Sequence, residues 1–106
     1  MTEAMVVLVT APSAEKAAEI ARALVEEGLV ACGNVVPGLR SVYRWEGRLQ
    51  DEAEALLVLK TERRLLAALK ARLPALHPYQ IPELLALPVA DGLGPYLDWI
   101  AASVRR

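Results

Sequence analysis

The 106-residue chain contains no phenylalanine, one cysteine (Cys32) and one histidine (His77). A single thiol excludes any disulfide within the chain and agrees with a reducing compartment. A structural metal site generally takes about four ligands, often in close C-x-x-C pairs, and no such pair can be drawn from one thiol and one distant imidazole. Basic charge is not in excess either: twelve Lys and Arg stand against thirteen Asp and Glu, for a net charge of −1. With a pI near 5.8, the chain lacks the electrostatic footprint of a nucleic-acid partner. No apolar run reaches the roughly 20 residues that a membrane span requires, and Met1-Thr2-Glu3 lacks the basic start of a secretory signal. The expected location is the cytoplasm, without membrane insertion. Neither a glycine-rich phosphate loop nor an activated nucleophile is recognisable, so no catalytic residue is assigned and an enzyme is not expected.

Hydrophobic residues, in contrast, make up 55% of the chain, and a mean hydropathy of +0.30 is ample for the core of a single domain over residues 1–106. The segment Val30 to Lys60 reads as one long β-hairpin turning at Glu46-Gly47. On its first arm Leu39, Ser41, Tyr43 and Trp45 fall on one face, and Arg40, Val42, Arg44 and Glu46 on the other. The return arm is polar at Gln50, Asp51, Glu52 and Glu54, then continuously apolar from Leu56 to Leu59, so its outer part is wet and its inner part buried. Pro37-Gly38 interrupts the first arm and predicts a bulge, because proline donates no ladder hydrogen bond. From Val30 to Trp45 the arm would span about 50 Å at roughly 3.3 Å per residue, against a radius of gyration of about 13 Å for a compact domain near this size. The tip is therefore expected to project, and its unpaired edges to engage another chain.

The flanking segments have clear local signals. Ala4 to Thr10 suits a central strand buried on both faces, ended by Pro12. Ser13 is placed to cap a helix with Ala17, Ile20, Ala21 and Leu24 on its apolar stripe, and Gly28 to stop it. Thr61 is expected to cap a second helix carrying Leu65, Leu69 and Leu73, closed by Pro74. The stretch His77 to Glu83 reads as an ordered extended loop, since each proline drives the preceding residue out of the helical region. A fourth strand is expected at Leu84 to Ala90. A third helix then opens at Pro95 and buries Tyr96, Leu97, Ile100 and Val104. The order β-α-β-β-α-β, followed by a helix, defines an α+β, ferredoxin-like (split βαβ) fold.

An ordered set of residues then stands out: Cys32 with Asn34 and Pro37, Ser41-Val42-Tyr43-Arg44-Trp45-Glu46-Gly47, Glu54, Lys60-Thr61, His77-Pro78-Tyr79, Pro82-Glu83, Pro88, and Tyr96-Leu97-Asp98-Trp99-Ile100. Together these resemble the CutA divalent-cation-tolerance family over nearly the whole chain. The resemblance implies a ferredoxin-like subunit in a tight homotrimer, with long hairpins extending the sheets of neighbouring copies. It also implies a link to tolerance of copper and other divalent metals, with a copper or other divalent ion as ligand that folding does not require. Gly33 departs from the bulkier residue expected after the cysteine, which predicts a small gap or bulge.

Three residues are candidate metal ligands. Cys32 as thiolate is a soft ligand, or else a small buried hydrophobe. His77 can ligate a metal, or cap the second helix, or bond a carbonyl. Glu83 offers a hard oxygen ligand or a base, or else a salt bridge to Lys60 or an arginine. Tyr43, Trp45, Lys60 and Tyr79 are candidates for an intersubunit cleft, and Tyr43, Arg44, Trp45 and Trp99 for the trimer interface, where aromatics with a polar handle are favoured. The leading functional reading is a trimeric metal-responsive binding protein. The alternatives are a nitrogen-regulatory PII-like sensor, a small enzyme using His77 and Glu83 as acid and base, and a stable scaffold that recruits another protein. A PII-like sensor would need a long effector loop in place of the two-residue turn, and a basic phosphate cradle.

Overall fold

The computed structural model describes residues 2–106. Strand β1 (Ala4–Ala11) alternates from Met5 onward: Met5, Val7, Val9 and Ala11 are buried, while Val6, Leu8 and Thr10 are half-buried. The expectation of burial on both faces is thus corrected, because the main helical layer covers only one side of the sheet. Helix α1 (Ala14–Glu26) starts where Ser13 Oγ accepts the Lys16 N–H at 3.1 Å, and it buries Ala17, Ile20, Ala21 and Leu24. Gly28 follows at φ +71°, and an added Cβ would lie 2.9 Å from Arg105 Cβ. Both the backbone angle and the close tail make glycine the residue that fits here.

Strands β2 (Cys32–Trp45) and β3 (Arg48–Glu62) form the long hairpin. Glu46 and Gly47, with φ of 50° and 76°, give the pair of positive angles that a tight two-residue turn with the twist of its strands requires. The pairing slips between Val36 and Leu39, so Pro37 and Gly38 form the anticipated bulge. The molecule measures 44 × 25 × 22 Å, its long dimension matching the reach of the hairpin. At Gly33 there is neither gap nor slip: the register is continuous, and an added Cβ would meet Ala21 Cβ at 2.8 Å and Leu59 Cδ2 at 3.2 Å. The space is taken by α1 drawn close to the strand, which corrects the expected defect.

Thr61 does not cap a helix. It belongs to β3, is wholly buried, and donates from Oγ1 to the Leu29 carbonyl at 2.7 Å. A 3₁₀ turn (Arg63–Leu65) leads instead into helix α2 (Leu66–Leu76), which buries Leu69 and Leu73. Pro74 lies inside α2 and does not close it. A proline at this position removes the hydrogen bond to the Lys70 carbonyl without ending the helix, and the stop comes from Pro78, which holds His77 extended at φ −102°, ψ 138°. Arg72 clamps α2 to the end of α1 through two guanidinium bonds of 2.9 Å to Glu27.

Strand β4 (Leu85–Pro88) is shorter than expected and pairs with β1 from Met5↔Pro88 to Leu8↔Leu85. The sheet is antiparallel throughout, in the order β2-β3-β1-β4. Helix α3 (Gly94–Ser103), with Pro95 in its first turn, packs Ile100 and the following Val104 against Ala4, Ala31 and Leu65 in a second small core. The expected burial of Tyr96 is corrected: it is 44% exposed, its ring tilted against Trp99 at 5.5 Å between centroids. The sheet face opposite α1 and α2 is left largely open, with Val36, Leu85 and Leu87 44–58% exposed.

Candidate functional site

A concavity lies where the projecting hairpin leaves the body of the subunit. Thr10 at the end of β1, Ser41 to Tyr43 and Trp45 on β2, Glu54 on β3 and the loop from Pro78 to Glu83 enclose about 690 Å³. The strand contributions follow from pairing. Leu39 lies opposite Glu54, Ser41 opposite Glu52 and Tyr43 opposite Gln50, so alternate residues of both arms face the same side.

His77 places the loop. It is 8% exposed, and its Nε2–H donates to the Thr10 carbonyl at 2.7 Å while Nδ1 accepts the Tyr79 N–H at 3.1 Å. These two bonds define a neutral ring protonated on Nε2, with no nitrogen lone pair left for a metal. Of the sequence-level alternatives, the structure shows helix end and carbonyl partner together: His77 is the C-terminal cap residue of α2 and ties it to β1. The tilted rings of His77 and Tyr79, 4.7 Å apart, carry the Tyr79 hydroxyl to Glu54, where it donates to Oε2 at 2.5 Å.

The electrostatics of the cleft are one-signed. Glu54 and Glu83 line it, and no lysine, arginine or histidine does. Burial, reinforced by the charge of Glu54, raises the Glu83 carboxyl above its ordinary range. Burial likewise raises the Tyr79 hydroxyl, together with its bond to Glu54. Among the described residues Glu83 has no ion-pair partner, so the anticipated bridge to Lys60 or an arginine is not formed.

The sequence candidates separate into two groups. Tyr43, Trp45, Tyr79 and Glu83 meet in the cleft. Lys60 of the same chain does not: it pairs across the ladder with Cys32, six residues along β3 from Glu54, or about 20 Å at a strand's rise. There Asn34 Oδ1 accepts from Lys60 Nζ at 2.5 Å and from the Cys32 thiol at 3.5 Å, and Lys60 Nζ lies 6.0 Å from the Tyr96 ring centroid. Cys32, His77 and Glu83 therefore do not converge within one chain. Among the described residues no group of three or more His, Cys, Asp or Glu side chains is placed to hold a metal ion. Arg44 and Trp99 lie outside the cleft, on the hairpin tip and on α3. Thr10 and Glu54 were not singled out as site residues. For Glu54 a signal existed, since it shares the parity of half-buried Leu56 and Val58, which carries it onto the open face.

Residues 5–103 match the family model described as CutA1 divalent ion tolerance protein. The chain belongs to this family. It is 55% identical over 95 residues to the divalent-cation tolerance protein CutA of Thermus thermophilus, covering 90% of this chain and 92% of that one. A solved structure of the divalent cation tolerance protein from the same organism superposes with a TM-score of 0.92 at 51% identity, covering 96% of this chain and 99% of that one. The chloroplastic CutA protein of Arabidopsis thaliana is 44% identical over 102 residues, which are 96% of this chain but 56% of that protein. The fold is the mixed α+β arrangement of CutA1 structures, a four-stranded antiparallel sheet with three helices. Among the described residues no helix is long and apolar enough to cross a membrane.

Proposed function

We propose that the chain forms a cytoplasmic homotrimer whose members share their sheets, and that the cleft beside the hairpin, closed by a neighbouring copy, binds a cationic ligand in divalent-metal tolerance. The observation that carries this reading is the composition of the cleft: two carboxylates, three aromatic rings and no basic side chain. Assembly is supported by the open sheet face and by the hairpin, on which Tyr43 and Trp45 are each 40% exposed, a combination that invites pairing with another chain. Arg44 and, on α3, Trp99 belong to the same interface. Copper or another divalent cation is the family-level candidate. Its donors come from more than one copy, because Cys32 and Glu83 lie apart in a single chain and both His77 nitrogens are already engaged. Binding, not turnover, is the activity assigned. The acidic cleft and the two-residue hairpin turn weigh against a phosphate-binding PII-like sensor.

Two measurements test this. Sedimentation velocity at micromolar concentration should give a species of three times the 11.5 kDa chain mass; a monomer removes the shared cleft. Calorimetric titration of reduced protein with copper should saturate at a defined ratio per trimer and weaken in Glu83→Gln and Cys32→Ala. Isotherms unchanged in both variants would take those residues out of the site.

A further inference from the structure

The cleft also limits which cation it can hold. We propose that it binds a small organic ammonium ion, with the charged end between Glu54 and Glu83 and the carbon body against Tyr43, Trp45 and Tyr79. This rests on, and narrows, the reading of the cleft as a cation site.

The volume and walls of the cleft point this way, and not the carboxylates alone. Its roughly 690 Å³ falls within the range of about 300–1,000 Å³ usual for small-molecule sites, and far exceeds what one bare ion occupies. Three of the eleven lining residues are aromatic, and Val42, Pro78 and Ile81 add apolar surface. Aromatic faces attract an organic cation through the ring quadrupole and shelter its carbon atoms. A hard divalent ion instead asks for six or more oxygen ligands, while one oxygen of Glu54 is already engaged by the Tyr79 hydroxyl. An ammonium group has three donors, enough to satisfy two carboxylates at once. On the walls that one chain supplies, an anionic ligand would meet both negative charges with no compensating base. Glu83, whose ionised form burial and Glu54 disfavour, gains a counter-charge when the ligand enters.

The test uses the full chain with 2-phenylethylammonium as probe and phenylacetate, of similar shape and opposite charge, as control. Calorimetry at neutral pH and low salt should show saturable binding of the amine and none of the acid. Glu83→Gln should weaken the amine by about tenfold or more, the size expected for loss of a charge-assisted contact, and Trp45→Ala by about two- to fivefold through loss of a ring face, with circular dichroism confirming that both variants fold. No binding of the amine, equal binding of the acid, or unchanged affinity in Glu83→Gln overturns the proposal. Sedimentation and a copper titration on the same sample separate it from the reading on which it rests. A trimer that takes copper at this cleft but not the amine overturns the ammonium assignment alone. A monomer that binds neither overturns both.

Discussion

Replacing Thr61 separates two accounts of one residue. If Thr61 capped a helix, Asn would serve at least as well, since it ranks at or above Thr as an N-cap. The structure instead puts Thr61 at 0% exposure inside β3, with its hydroxyl donating to the Leu29 carbonyl at 2.7 Å. In Thr61→Val the buried carbonyl loses this donor, a loss of about 1–3 kcal/mol, partly offset by about 0.8 kcal/mol for an added buried methyl. In Thr61→Asn the larger amide must fit a packed layer and find partners there. Overpacking of about 1–3 kcal/mol adds to the desolvation of unpaired polar atoms, for a total above about 2 kcal/mol. Guanidinium unfolding followed by circular dichroism reads both, at fixed protein concentration because assembly makes stability concentration-dependent. The slope of free energy against denaturant should match the parent chain. Thr61→Asn within about 0.5 kcal/mol of the parent, the ordinary range of a surface substitution, would refute the buried placement.

Three further outcomes follow from other positions. Gly28→Ala should destabilise by more than the roughly 1–2 kcal/mol of a left-handed residue, because its Cβ also meets Arg105 Cβ at 2.9 Å. Gly47→Ala, at φ +76° with no atom within 4 Å, should lose only the backbone part; equal losses in thermal melts would mean that the C-terminal tail yields freely. Glu83→Gln should stabilise the chain at pH 7. Burial and Glu54 raise the Glu83 carboxyl in the folded state above its ordinary 4.5, so its stability contribution is full below that value and lost as pH rises through the folded one. The charge-linked advantage of Gln should shrink as the pH falls through the raised folded value and be gone below 4.5, and a gap independent of pH would show that charge is not its cause.

Much of the fold was legible because its signals are local. Ser13, Gly28 and Pro95 mark helix ends through atoms within one turn, and period-two alternation from Leu39 to Trp45 marks a strand without reference to its partner. Pro37-Gly38 announced the bulge, since a residue lacking an N–H cannot complete a ladder. Errors arose where a local signal met a distant partner. Thr61 has the side chain of a cap, but the ladder with β1 runs on to Glu62 and the hydroxyl finds a carbonyl 32 residues away. Pro74 resembles a stop, but α2 runs on past it to Leu76, and it is Pro78 that drives His77 out of the helical region.

The sequence by itself determined the elements, their order, the reach of the hairpin and the family, because periodicity, caps and prolines act over a few residues. Only the tertiary structure decided which candidates share a site. It spent both His77 nitrogens on holding the loop, joined Tyr79 to Glu54 across 25 residues, and put Lys60 with Cys32 at the other end of the sheet. Strand register and loop docking make those choices, and they depend on contacts between segments that no short stretch of sequence contains.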